Sequence, residues 1–338
     1  MKKILITGGA GYIGSHTAVA LVNSGYEPVI IDNFSNSEKS TVAGLNKICG
    51  REISCYEVDC LDRSAVERVF LDNDFSGVIH FAAFKAVGES TRLPLKYYSN
   101  NIDSLLILLE TMSKFGVKDI VFSSSCTVYG QPEILPVKES TPRQLAESPY
   151  GNTKKICEDI LVDYIKSGAD SRIVSLRYFN PVGAHPSGEI GELPLGVPNN
   201  LVPFITQTGA GLRKKLTVFG DKYNTPDGTC VRDYIHVMDL AEAHVKSLEY
   251  LFQQKNNFYD LFNVGTGNGN TVLEVIKTFE KVSGQPLNYE IGLRREGDIE
   301  KVWADTEKIN NVLGWEAKYS LEDSLRDSWN WQLKLGKK

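Results

Sequence analysis

The segment KILITGGAGYIG sets Gly8, Gly11 and Gly14 three residues apart, directly after a short β-prone run and at the head of a helix pattern. Few folds accommodate that order. The glycines permit a tight turn and close backbone approach, and the helix N-terminus that follows presents amides to a pyrophosphate. A lone glycine pattern is weak on its own, but Asp32 ends the next β-prone run, PVIID, about 20 residues on, where a carboxylate can hold adenosine ribose hydroxyls. Motif and spacing together point to a dinucleotide site. A carboxylate beside the ribose repels a 2'-phosphate, which favours NAD over NADP. The plainer reading is an aspartate that merely ends a strand, and Asp59 after the third run serves equally as a turn former.

Further β-prone runs recur at ISCYEV, GVIHF, DIVFSS and RIVSLRYF, separated by amphipathic stretches such as Leu93 to Lys114, with Leu105, Leu106, Leu108, Leu109 and Met112. Strands joined by helical crossovers lie parallel, so the pattern predicts an α/β fold: a doubly wound, mostly parallel Rossmann-type sheet with helices on both faces. Between Pro181 and Asn200 four prolines and four glycines break both periods, as a domain boundary or a long shaped loop does. The expected division is a dinucleotide-binding domain at 1–180 and a smaller mixed α/β substrate domain at 181–338, with part of 230–265 packing back onto the first. LTVF and YDLFNV read as strands in the second half. Val237 to Phe252, Val272 to Val282 and Leu321 to Leu333 read as helices.

Length and composition limit the remaining choices. A chain of 338 residues with 42% hydrophobic and 23% charged residues can bury a sizeable core. A net charge of -5, spread along the chain, argues against nucleic acid or an anionic membrane as partner. The six cysteines contain no C-x-x-C, and the five histidines show no close pairing that would suggest a metal. The N-terminal apolar run is too short for a signal peptide, and no run approaches a membrane helix. A cytoplasmic, reducing location is expected.

SPYGNTKK carries Tyr150 and Lys154 at i and i+4, on one face if the segment opens a helix. Among 15 tyrosines such a spacing can arise by chance, and a surface tyrosine beside a surface lysine is the plainer reading. SSSCTVYG adds weight, because Ser123, Ser124 and Ser125 follow the apolar run DIVF and fall at the strand's carboxyl end, where ligands of such sheets bind.

The glycine turn, the serine strand end and Y-x-x-x-K together resemble the extended short-chain dehydrogenase/reductase superfamily. ITGGAGYIGSHT, DNFSNS, HFAAFKAVGES, RYFNPVGAHPSGEIGE, PNNL, RDYIHVMDLA, LRREGD and WAD extend the resemblance, end to end, to its UDP-glucose 4-epimerase family. The resemblance implies an NAD site formed by Gly8, Gly11, Tyr12, Ile13, Gly14, Asp32, Asn33, Phe34, Ser35, Asn36, Ser37, Asp59, Cys60, Phe81, Ala82, Ala83, Phe84, Lys85, Asn100 and Phe179, joined by Ser125, Tyr150 and Lys154. It implies that Ser125, Tyr150 and Lys154 are catalytic. A UDP-sugar is expected against Asn180, Asn200, Leu201, Thr217, Val218, Phe219, Arg232, Arg295, Asp298 and Val302, with Ser125 and Tyr150 reaching the sugar. Arginine suits the pyrophosphate, although solvated surface positions account for most arginines.

By that resemblance Tyr150, helped by Lys154, takes the proton of the sugar 4-hydroxyl while hydride passes to NAD, and the 4-keto sugar turns and is reduced on its other face. UDP-galactose and UDP-glucose would interconvert with no net redox change. Family members pair as homodimers through segments matching Leu93 to Lys114 and Tyr150 to Lys166. A 4,6-dehydratase begins with the same oxidation, but it places acidic residues where Cys126 and Thr127 stand here. A non-catalytic NAD-binding regulator is the other alternative, and it has no need of a tuned phenol beside an ammonium. Val302 stands where some members carry a tyrosine that crowds the sugar. The smaller side chain predicts tolerance of N-acetylated UDP-sugars, unless neighbours fill the gap.

Overall fold

Short runs, most of them rich in valine and isoleucine, build the central sheet. The structure, a computed structural model, describes residues 1–294 and 298–336. Its strands in chain order are β1 (Lys3–Thr7), β2 (Glu27–Asp32), β3 (Ser54–Glu57), β4 (Phe75–His80), β5 (Asp119–Ser125), β6 (Arg172–Tyr178), β7 (Asn180–Val182), β8 (Leu216–Phe219), β9 (Val231–Arg232), β10 (Tyr234–His236), β11 (Phe258–Val264), β12 (Asn270–Thr271), β13 (Tyr289–Gly292) and β14 (Lys301–Val302). The main sheet has seven parallel strands in the order β11-β6-β5-β4-β1-β2-β3. The order reverses beside β1, which places the glycine turn at the crevice where such sheets bind ligands.

Alternation along each strand divides the buried residues between two faces. Ile4, Ile6, Ile30, Ile79, Val121, Val174 and Leu176 pack on one side, under α1 (Tyr12–Asn23), α2 (Lys39–Cys49) and the helix Val237–Leu251. Leu5, Val29, Ile31, Val78, Ile120, Phe122 and Ile173 pack on the other, under α3 (Arg63–Leu71) and the helices Ser104–Phe115 and Pro149–Lys166. Each fully buried aliphatic side chain contributes roughly 1.5–3 kcal/mol, so the two faces supply most of the stability of this layer. A third core holds the smaller sheets. Val202, Ile205, Leu216, Val218, Ile276, Phe279, Leu325 and Trp329 come together there.

The stretch read as one helix from Leu93 to Lys114 is in fact three pieces. After α4 (Val87–Arg92) come α5 (Pro94–Tyr98), a π-helical turn at Ser99–Asp103 and α6 (Ser104–Phe115). Of the five apolar residues named above for this stretch, Leu105, Leu108, Leu109 and Met112 are buried and Leu106 is exposed. The π turn inserts an extra residue and so presents Asn100 and Asn101 out of the regular register. α7 is the long helix Pro149–Lys166, begun by Ser148, whose side chain accepts from Gly151 N, and by Pro149 in the first turn. α8 (Leu201–Gly209), α9 (Val237–Leu251), α10 (Val272–Ser283), α11 (Glu307–Leu313) and α12 (Leu321–Leu335) complete the chain.

β7 occupies part of the segment read as irregular. It pairs in parallel with β10, because Asn180 N donates to Asp233 O at 2.9 Å and continues the line of β6. β11 lies at a sheet edge, and side chains cover its outward backbone: Asn263 N donates to Glu139 Oε1 at 2.8 Å, and Lys308 Nζ to Leu261 O at 2.8 Å. None of the six cysteines forms a disulfide. Among the described residues no helix is long and apolar enough to cross a membrane, and no cluster of side chains is arranged to hold a metal.

Asp233 joins three segments. Its buried carboxylate accepts from Thr266 N at 2.8 Å, Thr266 Oγ1 at 2.7 Å, Gly267 N at 3.1 Å and Ala304 N at 3.1 Å. A Cβ on Gly265 would lie 2.4 Å from Asp233 Oδ2, so glycine is required beside it. Asp233→Ala leaves one buried and three part-buried donor bonds unmade, the buried one alone costing about 1–3 kcal/mol. We expect a loss of at least about 3 kcal/mol by urea denaturation; a change under about 0.5 kcal/mol would contradict this role.

Candidate active site

β1 turns into α1 through Gly8, whose φ of 67° lies in the left-handed region. A Cβ at Gly14 would stand 2.5 Å from Gly8 O, so both positions demand glycine and leave a cradle of bare backbone. Asp32 closes one side. Its Oδ2 accepts from Ala10 N at 3.0 Å, and its Oδ1 from Phe34 N at 2.9 Å and Ser37 Oγ at 2.8 Å. Lone pairs remain on Oδ2 for a further donor. The cradle and the carboxylate together fit a dinucleotide.

Residues expected from dispersed parts of the chain meet around this turn. Asn33 Nδ2 donates to Asp59 Oδ2 at 2.9 Å, while Ser35 N donates to Asn33 Oδ1 at 3.0 Å. Phe34 takes a positive φ of 55°, which no local sequence pattern signals. Cys60 beside Asp59 is partly buried, and burial pushes its thiol up to about 12, so it is a neutral wall. Asn36 lies in the same loop. Tyr12 reaches the far side of the site, where its hydroxyl donates to Gly183 O at 2.7 Å, and Ile13 packs against the core. After β4, Phe81 N donates to Thr7 O at 3.0 Å and Ala82 N to Thr7 Oγ1 at 3.2 Å, so Phe81 to Lys85 run past Gly8.

Asn101, which sequence reasoning missed, holds that run in place. It accepts from Phe84 N at 2.8 Å and from Asn100 Nδ2 at 3.0 Å, and donates to Phe84 O and Thr153 Oγ1, each at 3.0 Å. The loop holding Ala83 is thereby tied to the helix of Tyr150. The adjacent Asn100 was the only signal.

β5 ends at Ser125 beside the first turn of α7. Ser125 Oγ lies near the Tyr150 phenol and accepts from Thr127 N at 3.2 Å and Thr127 Oγ1 at 3.0 Å. Lys154 is 3% exposed; its Nζ donates to Ser123 O at 2.7 Å and sits 5.0 Å above the Phe122 ring. Burial lowers its ammonium to about 8, while Cys157 and Glu158 oppose the fall. Burial also pushes the Tyr150 phenol up to about 12, against the lowering influence of the nearby Ser125 hydroxyl. Phe179 is buried at the end of β6, with its N donating to Val264 O at 3.2 Å.

Facing this centre are the residues expected to hold the second ligand. Asn180 begins β7, and Asn200 caps α8 just before Leu201, its Nδ2 donating to Glu192 Oε1 at 2.6 Å. Lys85 Nζ lies 3.8 Å from the same Glu192, which sequence reasoning did not single out. In β8 Val218 points into the core, while Thr217 and Phe219 are more exposed. Arg232 Nη2 donates to Asp298 Oδ1 at 3.0 Å, and Arg232 pairs in register with Val302 across β9 and β14. Val302 is buried among Phe179, Tyr129 and Ala304, with Cys126 against them. Arg295 lies outside the described residues.

This geometry has close counterparts among known proteins. A family model described as GDP-mannose 4,6 dehydratase matches residues 5–328. The UDP-glucose 4-epimerase of Bacillus subtilis (strain 168) is 54% identical over 329 residues, covering 97% of this chain and 96% of that protein. The crystal structure of UDP-glucose 4-epimerase from Bifidobacterium longum in complex with NAD+ and UDP has a TM-score of 0.95 at 46% identity, over 98% of both chains. That of UDP-glucose-4-epimerase from Stenotrophomonas maltophila with bound NAD and formylated UDP-arabinopyranose has a TM-score of 0.97 at 44% identity, over 100% of this chain and 99% of that one.

Proposed function

The chain belongs to the UDP-glucose 4-epimerase family of the extended short-chain dehydrogenases/reductases, and from that premise we propose that it interconverts UDP-galactose and UDP-glucose with NAD as its resident cofactor. The observation that carries the reading is the meeting of Ser125, Tyr150 and the buried Lys154 at the carboxyl end of β5, across the strand order from the glycine cradle. In our reading residues 1–180 hold the cofactor through that cradle and Asp32. Residues 181–338 hold the uridine diphosphate through Asn200, Leu201, the β8 strand and Arg232.

NAD, when bound, supplies the reversible hydride acceptor for carbon 4 of the sugar. Tyr150 removes the 4-hydroxyl proton and later returns it; Ser125 shares the same oxygen and orients it. Protein groups alone leave the phenol protonated at neutral pH, because burial holds it near about 12. The nicotinamide's positive charge, added to that of Lys154, is what would draw it down. Gripping the diphosphate while the sugar turns keeps the reactive ketone from leaving.

The dehydratase alternative, to which the matching family model's description belongs, calls for a carboxylic acid near Ser125. Cys126 stands there, and burial pushes its thiol up to about 12, out of range for proton donation at neutral pH. A non-catalytic regulator would not need the buried ammonium, whose desolvation is costly.

Two finer readings follow. Loss of bulk at Val302 supports tolerance of a 2-N-acetyl group, although Phe179 and Tyr129 pack closely around it. Leu95, 81% exposed on the α5–α6 stretch, supports a homodimer through that stretch and α7, and six cysteines outside any disulfide support a reducing, cytoplasmic location. A monomer by sedimentation would remove the dimer, and recovery of the protein outside the cytoplasm on cell fractionation would remove the location.

Purified protein incubated with UDP-galactose and no added NAD should yield UDP-glucose of unchanged mass. Absence of product, or loss of water, would overturn the reading. Tyr150→Phe should lower turnover at least ~100-fold while UDP-sugar binding persists. In the same assay UDP-N-acetylgalactosamine should react within about tenfold of UDP-galactose, a range one extra group in a pocket can span; complete refusal would remove the Val302 argument.

A further inference from the structure

The mechanism leaves one buried ionic cluster unused, directly behind the catalytic strand end. Glu158 lies one helical turn beyond Lys154 on α7 and is 2% exposed. Its Oε1 accepts from Ser124 Oγ at 2.6 Å and Arg177 Nε at 2.9 Å; its Oε2 accepts from Arg177 Nη2 at 2.6 Å and Arg143 Nη1 at 3.4 Å. Arg177 is 3% exposed and is the register partner of Ser124 across β5 and β6. Its remaining nitrogen donates to Tyr129 OH at 2.9 Å.

Two consecutive residues of β5 are thus tied to α7 one turn apart. Lys154 takes Ser123 O, and Glu158 takes Ser124 Oγ. The next residue is Ser125, and the preceding turn of the helix carries Tyr150. We propose that Glu158 and Ser124 are positioning residues for the reaction, forming with Arg177 a buried clasp that sets the spacing between Ser125 on the strand and Tyr150 on the helix. The proposal rests on the epimerase reading. A two-point carboxylate–guanidinium pair is geometrically rigid. Well-packed apolar residues would stabilise this position as well as a buried ion pair does, so stability alone gives no reason for it.

Glu158 also acts on Lys154 electrically. The groups around that ammonium are the Phe122 ring and Ser123 carbonyl of β5, His80 of β4, and Cys157 and Glu158 of α7, with Tyr178 of β6 beside Ser123 and Tyr150. Burial lowers His80 to about 3, raises Cys157 to about 11 and raises Tyr178 well above the ordinary phenol value, so these three are neutral at pH 7. The carboxylate therefore helps keep Lys154 charged where burial opposes it.

Ser124→Ala and Glu158→Gln in the full chain test the proposal, with UDP-galactose as substrate. Misplacement by a fraction of an ångström should lower kcat about tenfold, while KM and retained NAD stay within about twofold. A lysine needed as ammonium loses its proton as pH rises, and without the Glu158 charge it does so earlier. The alkaline limb of the kcat profile should therefore move to lower pH in Glu158→Gln and stay in place in Ser124→Ala. Unchanged kcat in Ser124→Ala, or KM and thermal midpoint deteriorating in step with kcat, would overturn the clasp. Ser124→Ala decides alone if Glu158→Gln does not fold. A wild-type protein that reduces its bound NAD on addition of UDP-galactose without epimerising it removes the epimerase reading, and the same variants read by that absorbance rise still decide the clasp. A wild type that does neither overturns both.

Discussion

A buried ammonium organises this protein. Lys154 is placed under a sheet, with one strong acceptor, Ser123 O at 2.7 Å, and the face of Phe122 for surroundings. Burying such a charge is unfavourable by several kcal/mol unless the protein compensates, and the compensation decides much of the neighbourhood. β5 must end where its carbonyl meets the lysine, α7 must start one turn earlier, and a carboxylate must follow one turn later. Ser148 and Pro149 fix the helix start, and Arg177 holds the carboxylate. Tyr150 and Ser125 then face each other as a consequence of that arrangement.

The same logic explains why a phenol and not a histidine serves as base in this account. His80 and His244 are close by, but burial drives them to about 3 and about 4, where they are too weakly basic for proton transfer at neutral pH. The phenol responds in the opposite sense to burial and is therefore available to be switched by nearby positive charge. One buried cation within the protein and a second brought by the cofactor would make the base strong only when the cofactor is in place. Reaction of the sugar would then be coupled to occupancy of the glycine cradle.

Much of this was legible in the chain because it is local. The glycine turn, Asp32 and the strand-helix alternation depend on neighbours within a few residues, and the main-sheet strands lie within two residues of where their patterns place them. Tyr150 and Lys154 are one turn apart, and Glu158 is one turn further, so its alignment was readable even though its purpose was not. Asp233 and Asn101 were not legible, since their partners lie up to 71 and 52 residues away and an isolated Asp or Asn carries no pattern. The register of Arg232 against Val302 joins two strands of two residues each, too short for any period to show. For Arg232 and Val302 only the family resemblance spoke. The π turn at Ser99–Asp103 was hidden because its residues look helical and only their register is changed.

The central claim is that Tyr150 becomes a base because two positive charges overcome its burial. The direct measurement is an absorbance titration of tyrosinate in the NAD-bound protein, with Tyr150→Phe subtracted to isolate the one phenol. The account predicts ionisation well below the ordinary tyrosine value of about 10, and a return upward in Lys154→Ala. A phenol that stays at about 12 with NAD bound, where the protein without cofactor puts it, would contradict it.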